Sequence, residues 1–206
     1  MNIFKQPLKP LTITAWVISV LFHPLNMVLA GCIVMVALTP DISTGELRTF
    51  SIALLFTFFV LPLLFAPLYW IYTKIVRQEF SEKQQRLVLL FSTSMIYFFT
   101  AYNLIADNSH SFTGAYILAC GLLTALGFCI TIFWKISLHA IGVGGFLALM
   151  LQLSLHAHFF AYLLIPVAVA IAGLVLSARL YLQAHTPLQV AAGFAAGLGI
   201  VFSLCQ

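Results

Sequence analysis

Charge is what this sequence has least of. Nine Lys and Arg and five Asp and Glu make up 7% of its 206 residues, while 63% are hydrophobic. The mean hydropathy is +1.10. Soluble domains carry roughly a quarter charged residues, so a surface built for water is excluded and the bilayer is the expected solvent. Short alternating segments of the kind that build a transmembrane barrel are also lacking, and the apolar runs are long and continuous. In lipid the backbone must satisfy its own polar groups. The sequence therefore predicts an all-α fold, a polytopic transmembrane helix bundle of six to seven spans.

Other absences narrow the function. There is no basic run or aromatic-basic stripe, so nucleic acid is not an expected partner; the formal charge of +4 suits anionic headgroups or phosphate. Cys32, Cys120, Cys129 and Cys205 lie in apolar segments without metal-ligand spacing, which predicts four buried thiols. No small-residue cleavage site follows Lys5 and Lys9, so a cleavable signal peptide is not expected. Linkers, low-complexity tracts and internal repeats are missing, which predicts one domain over residues 1–206.

Polar punctuation marks off the spans. The first runs from about Leu11 to Leu38, with a kink or break at His23-Pro24, and the second from Phe50 to Thr73, holding Pro62 and Pro67. After the loop Lys74 to Arg86 come Leu87–Ile105, Gly114–Trp134, Ile136–Leu155, Phe159–Leu176 and Pro187–Leu204. Gly142, Gly144 and Gly145, and the pair Gly193 and Gly197, predict close helix packing. Loop 74–86, the turn at Lys135 and segment 177–186 are separated by two spans each, so they share one membrane face. That face holds Lys5, Lys9, Lys74, Arg77, Lys83, Arg86, Lys135 and Arg179, against Arg48 alone on the other, beside Asp41, Glu46 and Asp107. Ionisable groups at a membrane boundary are costly unless used.

Two stretches on the basic face carry chemistry: Trp134-Lys-Ile-Ser-Leu-His139, and Arg179 through His185-Thr-Pro-Leu-Gln189. Thr186-x-x-Gln189 with Pro187 reads as a capping box opening the last helix. His185 would then stand just outside a helix N-terminus, which favours anions. Arg179 can meet it only if the chain breaks after the sixth span. Lys135 and His139, four residues apart, are expected on one helical face. Two imidazoles, an Arg and a Lys at a helix N-terminus suit a phosphate site with acid–base and nucleophilic capacity.

These stretches resemble the type 2 phosphatidic acid phosphatase superfamily of membrane lipid-phosphate phosphatases, specifically a divergent bacterial branch. The family's third motif, Ser-Arg, five residues, His, three residues, Asp, is matched in spacing by Arg179, His185 and Gln189. Ser137 and His139 match its second motif, Pro-Ser-Gly-His, and Arg86 is the best match to its first. The resemblance covers about Phe80 to Gly197. It implies His185 as nucleophile, through a phosphohistidine, and His139 as general acid. Arg179 and Arg86 would clamp the phosphoryl oxygens, and Gln189 stands where the family orients its histidine with Asp. The family's first-motif Lys aligns with Glu79, and Ile136 and Leu138 replace its second-motif Pro and Gly; Lys83 or Lys135 could supply the missing cation by geometry.

The function expected is hydrolysis of a phosphomonoester or pyrophosphate on a phospholipid or polyprenyl lipid, such as phosphatidic acid or undecaprenyl diphosphate. The alternative is a protein of this type that binds or translocates phospholipid with little or no turnover. Its partners would be the lipid phosphate and bilayer lipids, in the inner cell membrane. Positive-inside counting points the basic face to the cytoplasm, whereas the resemblance points it outward. No cofactor or metal is expected: Glu79 and Glu82 are the only carboxylates on that face, and metal phosphatases need clustered ones. His156 and His158 lack a third ligand nearby, and Asn103 and Gln152 give no continuous polar trail for a transporter. His23 reads as a helix-packing hydrogen bonder.

Overall fold

The computed structural model describes residues 10–38, 44–55, 67, 71, 81–106, 112–156 and 159–206. Its helices are α1 (Pro10–Leu21), α2 (Pro24–Leu38), α3 (Thr44–Leu55), α4 (Glu82–Ala106), α5 (Phe112–Phe133), α6 (Leu138–Leu155), α7 (Phe159–Tyr181) and α8 (Pro187–Leu204). No strand occurs among the described residues. Helices α4 to α8 are each long and apolar enough to cross a membrane, and α1 with α2 passes the same test as one span bent by 51°. The chain is a polytopic α-helical membrane protein. Most of the second expected span, and Lys5, Lys9, Asp41, Lys74, Arg77, Glu79, Asp107 and His158, lie outside the described residues.

The boundaries shift where charged residues meet the membrane. Helix α4 begins at Glu82 instead of Leu87, and α7 runs to Tyr181 instead of Leu176. Arg86 and Arg179 therefore sit on helical turns and not in loops. Hydropathy ends a span at the first charge, but a helix continues as long as its backbone bonds are satisfied.

Helix α6 is the axis of the bundle, packed against α8, α7 and α2. Its side chains are almost all buried, from Ala140 to Ser154. Glycine lets α8 approach its backbone: a methyl group on Gly197 would strike the Ile141 carbonyl, and one on Gly144 the Phe194 carbonyl. Without a hydrophobic force between helices in lipid, such close packing supplies the association energy. At the far end Gln152 Nε2 donates to the Phe202 carbonyl at 2.5 Å, so this polar residue ties helices together.

The first span breaks where expected. Pro24 has no N–H to continue the ladder, and the freed carbonyls of Val20 and Leu21 accept from Asn26 Nδ2 at 3.2 and 3.0 Å. Three cysteines are buried, but Cys129 is exposed. This corrects the expectation of four buried thiols. An apolar segment predicts membrane depth, not which side of its helix meets lipid.

Candidate functional site

The site is assembled from chain breaks. After Tyr181 the backbone turns through Gln183, at φ 50°, and the Ala184 amide donates back to the Arg179 carbonyl at 3.2 Å. Helix α8 then opens with the expected capping box: the Gln189 amide donates to Thr186 Oγ1 (3.4 Å), and the Thr186 amide to Gln189 Oε1 (3.1 Å). The break folds the chain so that Arg179 and His185 face one cavity.

His185 is buried between the α5–α6 and α7–α8 junctions. Its Nδ1 lies 3.3 Å from both the Lys135 carbonyl and Gln189 Oε1. Both partners only accept, so Nδ1 carries the proton and Nε2 is left with its lone pair. The Ser137 amide donates to the Gln189 carbonyl at 3.3 Å, knitting the same junctions together. Burial lowers the His185 pKa from its ordinary 6.5, and the Arg179 charge lowers it further; the bonds to Gln189 and Lys135 oppose this in part.

Arg86 reaches across from α4, its Nη2 donating to the Ile136 carbonyl. Arg179 Nη1 donates to Ser19 Oγ at 3.3 Å, and His139 Nε2 donates to the Ser19 carbonyl at 2.9 Å. The broken first span thus holds two site residues at once. The Nε atoms of Arg86 and Arg179 are buried without a hydrogen-bond partner. Leaving such donors unmet is costly.

The cavity has a volume of about 250 Å³. One part is lined by Arg86, Lys135, Arg179, His23, His139 and His185, and no carboxylate lines it among the described residues. The rest is mostly apolar and includes Leu90, Leu123 and Val201, with the hydroxyl-bearing Thr93, Tyr97 and Thr124 among them. Arg86 and Tyr97 are eleven residues apart on α4, about 16 Å along its axis.

Of the residues chosen from sequence, Arg86, Lys135, His139, Arg179 and His185 meet at this cavity, with Gln189 behind His185. Lys135 precedes α6, which starts at Leu138, so it does not share a helical face with His139. Ser137 is fully buried and caps α6 through its hydroxyl, accepting from the Ala140 amide; it does not line the cavity. Lys83 donates from Nζ to the Ile132 carbonyl at 2.7 Å, closing the C-terminal end of α5. Ser19 and His23 join the site although neither belongs to the motif-bearing stretches. The sequence signal was present for His23, an ionisable residue within an apolar span.

Among the described residues no three His, Cys, Asp or Glu side chains group closely enough to hold a metal ion. No family model, curated protein or solved structure matches this chain.

Proposed function

We propose that the chain is a lipid-phosphate phosphatase of the inner cell membrane, working through a phosphohistidine. One observation carries this: two guanidiniums from separate helices converge with His139 and His185 on a cavity that no carboxylate lines among the described residues, each with a buried, unpartnered Nε. Such a site calls for an anion with several acceptor oxygens. The apolar remainder of the cavity suits the chain attached to that anion, which favours a lipid over a soluble phosphate.

The chemistry follows from the ring nitrogens. Arg86, Arg179 and Lys135 hold the phosphoryl oxygens and offset the charge that develops on them. His185 Nε2 attacks phosphorus, the bond to the lipid oxygen breaks, and its electron pair stays on that oxygen. His139, as imidazolium, keeps Nε2–H on the Ser19 carbonyl and passes its Nδ1 proton to the leaving oxygen. Water then attacks the phosphohistidine and returns a proton to His139 Nδ1, releasing phosphate and the free imidazole of His185.

The assay is phosphate release from phosphatidic acid, phosphatidylglycerophosphate and undecaprenyl diphosphate by purified protein in detergent, with and without a strong chelator. Turnover on at least one lipid, unchanged by chelation, is expected. Loss on chelation, restored by a divalent metal, would overturn the mechanism. Binding of the lipid phosphate without any release would favour a second reading, a binding or translocating protein. Gln189 favours that reading, because a neutral amide orients His185 but adds no negative charge to stabilise its imidazolium.

Gln189 gives a sharper test. Gln189→Leu removes both its bonds, to His185 and to the Thr186 amide. Loss of the cap costs about 1 kcal/mol of stability, but turnover should fall roughly tenfold or more as the His185 ring loses its orientation. Gln189→Asp should keep the fold and raise the His185 pKa. Since attack needs neutral His185, the acid limb of the pH–rate profile should then move to higher pH. Wild-type profiles and rates in both variants would show that Gln189 supports no catalytic histidine.

A further inference from the structure

His23 sits at the corner between α1 and α2, far along the chain from the two stretches that supply His139 and His185. It lines the same cavity as Arg86, Arg179, His139 and His185. Its ring meets that of His139 edge to face, with centroids 5.6 Å apart and planes at 84°. The corner is held from both sides: Pro24 stops α1 from continuing, and the Met27 amide donates to the His23 carbonyl at 3.0 Å. The imidazole is therefore carried on a fixed turn.

Its hydrogen bonding identifies the tautomer. The Leu25 amide donates to His23 Nδ1 at 3.4 Å, so in the neutral ring Nδ1 holds the lone pair and Nε2 the proton. Among the described residues no protein group accepts that Nε2–H. The corner thus brings a ring with an unpartnered neutral donor to the lining of a cavity that also holds two guanidiniums.

We propose that His23 is a further phosphoryl ligand of this site, donating Nε2–H to a non-bridging oxygen of the bound phosphate. The proposal rests on the phosphatase reading and adds to it a residue from the broken first span. A hydrogen-bond donor is the role its chemistry allows. If neutral His23 gave up its proton it would be left as imidazolate, whereas His139 in the imidazolium form can lose Nδ1–H and still hold Nε2–H on Ser19. His139 thus serves the leaving oxygen and His23 an oxygen that stays on phosphorus. A neutral donor also adds no repulsion to Arg86 and Arg179 when the site is empty. The bend in the first span brings this residue to the cavity, and with it the Ser19 contacts to His139 and Arg179.

The test is direct binding of orthovanadate to the full-length protein in detergent, by calorimetry, for wild type, His23→Phe and His23→Gln. Phe retains a ring against His139 but has no donor; Gln restores an N–H. Binding should weaken at least about tenfold in His23→Phe, as expected for a lost hydrogen bond to a charged group. It should return to within about threefold of wild type in His23→Gln, and kcat should follow the same order. Equal binding by wild type and His23→Phe overturns the proposal and leaves the phosphate site standing. Equal weakening in both variants also overturns it, since a packing role would ignore the donor. If wild type binds no vanadate, both the proposal and the phosphatase reading fall. Should His23→Phe not fold, nitrogen NMR of histidine-labelled wild type reads the same contact, with His23→Gln assigning the signal. Saturating vanadate should shift the His23 Nε2 resonance, and an unmoved resonance overturns the proposal.

Discussion

Replacing His185 by Ala should abolish phosphate release, by at least about a thousandfold, while the protein stays folded. The size follows from its proposed role: when a nucleophile goes, the residual rate comes only from binding and charge stabilisation. The fold should survive because the capping box does not depend on the imidazole. Thr186 and Gln189 remain bonded to one another's backbone amides, and one lost hydrogen bond costs about 1 kcal/mol. Two measurements separate loss of chemistry from loss of structure. The melting temperature in detergent should fall by only a few degrees. Labelled lipid phosphate should leave an acid-labile, alkali-stable phosphoryl adduct on wild type and none on His185→Ala. Turnover by the variant at the wild-type rate would remove His185 as nucleophile.

Arg179→Met should lower kcat about a hundredfold or more, the usual effect of removing one preorganised donor at a developing oxyanion. It should also change the pH dependence. The wild-type acid limb, set by neutral His185, is expected below pH 6.5 because burial and the Arg179 charge both hold its pKa down. Met keeps the apolar bulk and removes the charge, so the His185 pKa should rise. More of the protein then carries protonated His185 at a given pH, and the acid limb should move to higher pH. A fall in rate with an unmoved acid limb would mean that Arg179 holds phosphate without controlling His185. The loss should exceed that for Lys135→Met, since Lys135 is exposed at the rim whereas Arg179 has its Nε buried.

The sequence by itself determined the solvent, the helical class and much of the local chemistry. Apolar runs of membrane length leave the backbone no stable alternative to helix, and Thr186-Pro187-Leu-Gln189 carries its cap in four consecutive residues. The same four residues place His185 beside a helix N-terminus. The break at His23-Pro24 was legible because proline acts on its own backbone. Gly193 and Gly197 were legible as a packing face because absence of a side chain is itself the signal.

What only the tertiary structure decided is which of these local features meet. Lys83 and Arg86 are three residues apart on α4, yet Lys83 closes the end of α5 while Arg86 enters the cavity. Their spacing along the chain says nothing of which neighbour each will face. Ser137 matched a motif and became a buried helix cap; Ser19 matched nothing and holds both His139 and Arg179. His23 stands 116 positions before His139 in the chain. The packing of α1 against α7 and of α2 against α6 brings it to the same cavity. A lone histidine in an apolar run has the same local signature whether it packs or binds. The difference lies in the partners across the helix interfaces, which long-range packing selects.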